Sequence, residues 1–97
     1  MAAEKGETAV RLRIEGRVQG VGFRYWVLDQ AHELGLDGWV RNRFDGSVEA
    51  VFAGRAETVH EMVRRCHDGP PMARVTAVHE APEEGEVGPG FHAAPTV

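Results

Sequence analysis

A single cysteine, no apolar run near the length of a membrane span and no excess of positive charge set the first limits on this chain of 97 residues. One thiol, Cys66, cannot close an intramolecular disulfide, which fits a reducing compartment. It falls on the apolar side of a predicted helix, where a free cysteine acts as a small buried hydrophobe rather than a nucleophile. Without about 20 consecutive apolar residues no helix can cross a bilayer. No charged and then apolar leader opens the chain, so a cytoplasmic protein with no membrane partner is expected. The formal net charge is −4, with seven Lys/Arg against six Asp/Glu in residues 1–43 and four against nine in residues 44–97. A nucleic-acid binder of this size would carry a basic stripe, so no nucleic-acid partner is expected. Carboxylate clusters and paired Cys/His spacings are missing as well. The histidines (His32, His60, His67, His79 and His92) are scattered and read as solvated or structural. No metal and no cofactor is expected.

What is present is the patterning of one small domain, long enough for a single core. Residues 1–7 are polar and unpatterned, the expectation being a disordered tail. Residues 8–97 form the expected domain, a monomer. From Thr8 to Glu15, Val10, Leu12 and Ile14 alternate with Arg11, Arg13 and Glu15, the period of a half-buried strand. A helix is predicted over Arg24–Leu34, with Phe23, Val27, Leu28, Ala31 and Leu34 on one face and Gly35 placed to stop it. Leu36–Arg43 and Ser47–Ala53 read as strands joined at Arg43-Phe44-Asp45-Gly46, where Asp-Gly signals a tight hairpin. A second helix is predicted over Ala56–His67, buried through Val59, Met62, Val63 and Cys66 and ended by Gly69-Pro70-Pro71. Arg74–Ala81 is a fourth strand, Pro82–Gly90 an acidic loop, and Phe91–Ala94 a short fifth strand. The order β-α-β-β-α-β with right-handed crossovers puts both helices on one sheet face. That is an α/β (α+β) two-layer sandwich, ferredoxin-like, with a mainly antiparallel sheet.

The fold hosts many functions, so function has to come from a site. Gly16-Arg17-Val18-Gln19-Gly20-Val21-Gly22-Phe23-Arg24 holds three glycines in seven residues at the entrance of the first helix. Glycine accepts positive φ, so successive amides can turn toward one point and bind an anion. The helix N-terminus adds unpartnered N–H groups and a favourable dipole, and Arg24 adds a planar fork of donors. The run fits neither the Walker pattern nor G-x-G-x-x-G. On these residues alone it is either a cradle for a small terminal phosphate or a glycine-rich turn with an exposed Arg. Asn42, at the end of the second strand on the same face as Val40, is likewise open: a site amide, or a turn residue bonding the hairpin backbone.

The same residues resemble a known family. Gly16 to Arg24 resembles the first signature of acylphosphatases. Gly38-Trp39-Val40-Arg41-Asn42, followed by Asp45-Gly46-Ser47-Val48-Glu49 and Gly54, resembles the second. Gly69-Pro70 with Ala73-Arg74-Val75 is similar to the family's run after its second helix. The resemblance spans about Arg11 to Glu80. It implies a small cytosolic hydrolase that splits acyl phosphates, its small-molecule substrates, into carboxylate and inorganic phosphate. By position Arg24 matches the phosphate-binding Arg and Asn42 the water-orienting Asn. The loop amides of Gln19, Gly20, Val21, Gly22 and Phe23 match the phosphate cradle.

That chemistry needs few parts. The leaving carboxylate is the conjugate base of an acid of pKa about 4 and needs no general acid. Charge on the phosphoryl oxygens needs stabilising, and a water needs holding in line. Two rivals stand beside this reading. One is a non-catalytic phosphate- or carbamoyl-phosphate-binding module, a role this fold plays within larger maturation proteins. A chain ending at Val97 without a further domain is expected to be the free enzyme instead. The other is an RNA binder, whose exposed stacking rings would have to be Trp39 and Phe52. Of the bulky pair Tyr25-Trp26, one ring is expected to pack on the sheet and the other to cover the pocket rim, with Trp26 a candidate for substrate recognition.

Overall fold

The alternation of apolar residues with arginines in the first strand builds the sheet. The computed structural model describes residues 6–97, in the order β1 (Glu7–Arg17), α1 (Phe23–Leu34), β2 (Asp37–Asn42), β3 (Val48–Arg55), α2 (Ala56–Asp68), β4 (Arg74–Pro82) and β5 (Phe91–Ala93). Most of the expected tail, residues 1–5, lies outside the described residues. Glu7, placed with that tail in the sequence reading, instead pairs with Arg55 at the start of β1. The strand order is β4-β1-β3-β2-β5. β1 runs antiparallel to β3 and β4, β2 antiparallel to β3, and β5 parallel to β2. The short fifth strand is therefore a paired edge strand, and the sheet is mixed.

Both helices cover one face, α2 against β1, β3 and β4, and α1 against β2 and β5. Val10, Leu12 and Ile14 of β1, Val40 of β2, and Val48, Ala50 and Phe52 of β3 meet Phe23, Val27, Ala31, Val59, Met62 and Cys66 in one core. Each large side chain buried there contributes roughly 1.5–3 kcal/mol. Burial pushes the Cys66 thiol up to about 12, in keeping with an inert core residue. On the helix-free face, Glu49 is buried and accepts hydrogen bonds from Arg11, from Arg41 Nε at 2.9 Å and from Arg43 Nη1 at 2.9 Å. Burial alone would raise its carboxyl, but the bonds from Arg41, Arg11 and Arg43 outweigh that and hold it below the ordinary value.

Two local details bear on the site. Gly16, expected in the loop, belongs to β1, which continues through a register shift between Glu15 and Gly16 to Arg17. A Cβ on Gly16 would lie 2.1 Å from the Arg74 carbonyl oxygen, so the glycine is there for close approach of two strands. The β2–β3 connection is the expected tight hairpin, with a three-residue loop. Arg43 N donates to Ser47 O at 2.9 Å, Gly46 N to Arg43 O at 3.0 Å, and Gly46 has φ +97°. A glycine at positive φ closing a turn in this way is a standard three-residue hairpin.

β1 and β2 run in the same direction with β3 between them. The C-terminal ends of both strands therefore lie at one end of the sheet. One leads into the glycine loop and the other ends on Asn42.

Candidate active site

The loop between β1 and α1 is anchored by apolar residues and shaped by glycines. Val18 is fully buried and Val21 packs against the core, while Gly20 and Gly22 take φ +74° and +80°. Nothing lies within 4 Å of a Cβ built on either glycine, so it is backbone conformation, not crowding, that requires Gly. Gly22 is also the N-cap of α1 and offers no side chain to its first N–H groups; the first turn carries no acidic residue. Those donors and the positive end of the helix dipole remain available to an anion.

A cavity of about 170 Å³ opens at this point, lined by Val18, Gln19, Gly20, Gly22, Phe23, Arg24, Tyr25 and Asn42. At about 30 Å³ per water it holds a phosphoryl group with solvent beside it. Of the residues expected at the site, Gln19, Gly20, Gly22, Phe23, Arg24 and Asn42 are brought together here. Val21 does not wall the cavity, its side chain being turned to the core. Among the described residues, neither the Arg24 guanidinium nor the Asn42 amide has a protein hydrogen-bond or ion-pair partner, and neither has a buried unpaired atom. A cation and an amide on one wall, both unpartnered and both reachable by solvent, are free to take a ligand.

The turn reading of Asn42 loses its basis, because another residue does that work. Asp45 Oδ1 accepts the Ser47 backbone N–H at 2.9 Å and the Ser47 hydroxyl at 2.6 Å. The Ser47 hydroxyl and backbone N–H hold the Asp45 carboxyl below its ordinary value. The expected division of the Tyr25-Trp26 pair is met, one ring at the rim and one packed inward, but Trp26, the candidate for substrate recognition, is the one that lies away from the cavity. Tyr25, 75% exposed, is the ring at the rim, whereas Trp26 packs edge-on against Phe23 with centroids 5.5 Å apart and does not reach the cavity. The Gln19 side chain, whose composition gave no signal beyond polarity, donates through Nε2 to Arg43 O at 2.7 Å and to Ser47 O at 2.9 Å.

No histidine lines the cavity. His32 Nε2 lies 2.8 Å from Phe91 O, and His79 lies 3.4 Å from Glu15. Among the described residues no three His, Cys, Asp or Glu side chains are grouped so as to hold a metal ion, and no helix is long and apolar enough to cross a membrane. The stacking rings an RNA binder would need are not on offer. Phe52 is wholly buried, and Trp39 lies under two guanidinium groups, Arg11 at 5.4 Å and Arg41 at 4.6 Å from the ring centroid.

The chain is similar to known proteins in both sequence and structure. A model of the acylphosphatase family matches residues 10–93. The chain is 55% identical over 89 residues to an acylphosphatase of Rhizorhabdus wittichii, covering 92% of this chain and 90% of that protein. Its structure is similar to that of an acylphosphatase from Coxiella burnetii, with a TM-score of 0.88 and 36% identity over 94% of this chain and 96% of that one. A full-length HypF structure, solved in a phosphate- and nucleotide-bound form, shares the fold at TM-score 0.84 and 24% identity, the match covering 93% of this chain and 12% of that one.

Proposed function

The chain belongs to the acylphosphatase family, and we propose that the cavity at the N-terminus of α1 is where it splits an acyl phosphate into a carboxylate and inorganic phosphate. The N–H groups from Gln19 to Phe23 and the Arg24 guanidinium hold the phosphoryl oxygens, and the Asn42 amide holds the attacking water. The observation that carries this is the pairing on one cavity wall of Arg24 and Asn42, both without protein partners among the described residues.

The division of labour follows from the side chains. Phosphoryl transfer spreads charge over the non-bridging oxygens, and fixed amides with a guanidinium stabilise it without reorganising. A side-chain amide donates and accepts at once and does not titrate, so Asn42 orients a water at any pH near neutrality. The bond that breaks joins phosphorus to the acyl oxygen, and the electron pair leaves on a carboxylate. The water's proton goes to a phosphate oxygen, since among the described residues the cavity wall carries no carboxylate or imidazole to take it. The leaving group needs no acid and the phosphoryl charge is met by Arg24 and the amides, so the reaction runs without a metal ion.

The phosphate-binding-module reading is not favoured: the HypF likeness carries the fold alone, while relatives matching along nearly their whole length are named acylphosphatases. We read residues 8–97 as a single-domain, monomeric, cytoplasmic enzyme. Phosphate release from benzoyl phosphate, measured with the wild type and with Arg24→Ala, tests the assignment. Release by the wild type that is lost in the variant supports it, and equal rates refute it.

A further inference from the structure

The cradle follows β1 and Asn42 ends β2, two strands that do not touch. β3 lies between β1 and β2, and adjacent strands are about 4.8 Å apart, so the two chain ends start about 10 Å from each other. A phosphate in the cradle meets a water on Asn42 only if the loop leans across the start of β3 and stays there. Among the described residues, one side chain makes hydrogen bonds between loop and hairpin. Gln19 Nε2 gives one N–H to Arg43 O at 2.7 Å and the other to Ser47 O at 2.9 Å. These acceptors are the paired residues that flank the three-residue hairpin loop, and Arg43 directly follows Asn42.

We infer that the Gln19 side chain is a positioning residue, a two-pronged tether that fixes the phosphate cradle at reacting distance from the water on Asn42. The inference rests on the proposed roles of the cradle and Asn42 and adds a part that touches neither substrate nor water. The acceptors are two carbonyl oxygens, so the tether has to supply two donors from one atom at this reach. A terminal amide does so. An ionised carboxylate supplies none, and a thioether supplies none. Gln19 thus serves the site twice, its backbone in the cradle and its side chain across the gap.

The test compares Gln19→Met and Gln19→Glu, each in the wild-type and the Asn42→Ala background, with benzoyl phosphate as substrate and inorganic phosphate as competitive inhibitor. A loosened geometry of about 1 Å costs on the order of 10²-fold in rate. Gln19→Met is expected to lower kcat by roughly 10- to 100-fold while the phosphate inhibition constant moves by less than about threefold. In the Asn42→Ala background the same change is expected to add less than about threefold, because residues that act as a unit do not add. Gln19→Glu is expected to gain activity as pH falls and its carboxyl takes a proton, restoring one donor, with no such rise in the wild type. This arm reads one folded protein at two pH values and does not depend on the Met variant folding.

Losses that multiply in the double variant, with Asn42→Ala itself impaired, overturn the tether alone. So does a loss of phosphate binding in step with kcat, which would make the side chain part of the cradle, and so does a Gln19→Glu profile parallel to the wild type. Asn42→Ala with full activity overturns the water-orienting reading and removes the tether's purpose with it.

Discussion

Asp45 Oδ1 holds both the backbone N–H and the hydroxyl of Ser47, at 2.9 and 2.6 Å, and so closes the β2–β3 hairpin without help from the Asn42 side chain. A hairpin with its own cap frees the Asn42 amide, and the two residues should separate cleanly by mutation. Asn42→Ala is expected to lower kcat by on the order of 10²-fold, the scale of losing a positioning contact, with the phosphate inhibition constant and the Tm nearly unchanged. Asp45→Ala is expected to lower the Tm instead. Steady-state kinetics beside thermal melts decide it; an Asn42→Ala protein that is active but less stable would restore the turn role to Asn42.

The glycines of the first signature do different jobs. Gly20→Ala puts a side chain at φ +74° in open space, which costs roughly 1–2 kcal/mol and distorts the cradle. It is expected to weaken phosphate inhibition in a protein that still folds. Gly16→Ala forces a Cβ to within 2.1 Å of the Arg74 carbonyl and is expected to break the β1–β4 pairing, so that little folded protein is recovered. Circular dichroism and phosphate inhibition on the two variants distinguish these effects.

How much of this could be read from the chain depends on the range of the interaction. Alternation in β1 and the apolar face of α2 reveal strand, helix and core because period and burial are local properties. Asn42 and Arg24 drew attention because they lie near the end of one element and the start of another, but the roles expected of them came from the resemblance and not from local pattern. What Gln19 touches was not legible, since its acceptors lie 24 and 28 residues away and are backbone carbonyls, which every residue has. Gly16 was misplaced for a related reason: a glycine that admits a neighbouring strand and a glycine that turns a loop look alike in sequence. Which of Tyr25 and Trp26 reaches the rim was not legible, because successive helix residues differ in direction by about 100° and both are aromatic.

Stability should fall in acid through Glu49. Its carboxyl sits below the ordinary value of 4.5 in the folded protein because of the bonds from Arg41, Arg11 and Arg43, which outweigh burial. A depressed folded pKa gives stability that is complete above the unfolded value and is lost as pH falls through the folded one. Glu49→Gln is therefore expected to melt below the wild type by a constant interval at pH above about 4.5, the interval closing as the pH falls further. An interval unchanged from pH 7 to pH 2 would show that the Glu49 charge contributes nothing.

The Cys66 thiol, wholly buried and pushed up to about 12, is expected to resist a thiol reagent such as DTNB in the folded protein and to react at once in guanidinium. Its rate in native buffer then reports unfolding. Rapid labelling of the folded protein would contradict the core assignment, and loss of activity on labelling would give the thiol a place in the chemistry.

The most direct test of the account is phosphate release from benzoyl phosphate in excess EDTA, with inorganic phosphate as inhibitor, for the wild type and Arg24→Ala. The expected result is unimpaired wild-type turnover with competitive inhibition by phosphate. In Arg24→Ala both are lost, turnover by roughly 10³-fold or more, the scale of removing a charged group from a phosphoryl transition state. A variant that keeps its turnover, or a wild type silenced by the chelator and revived by Mg²⁺, would contradict a site built from Arg24, the loop amides and Asn42.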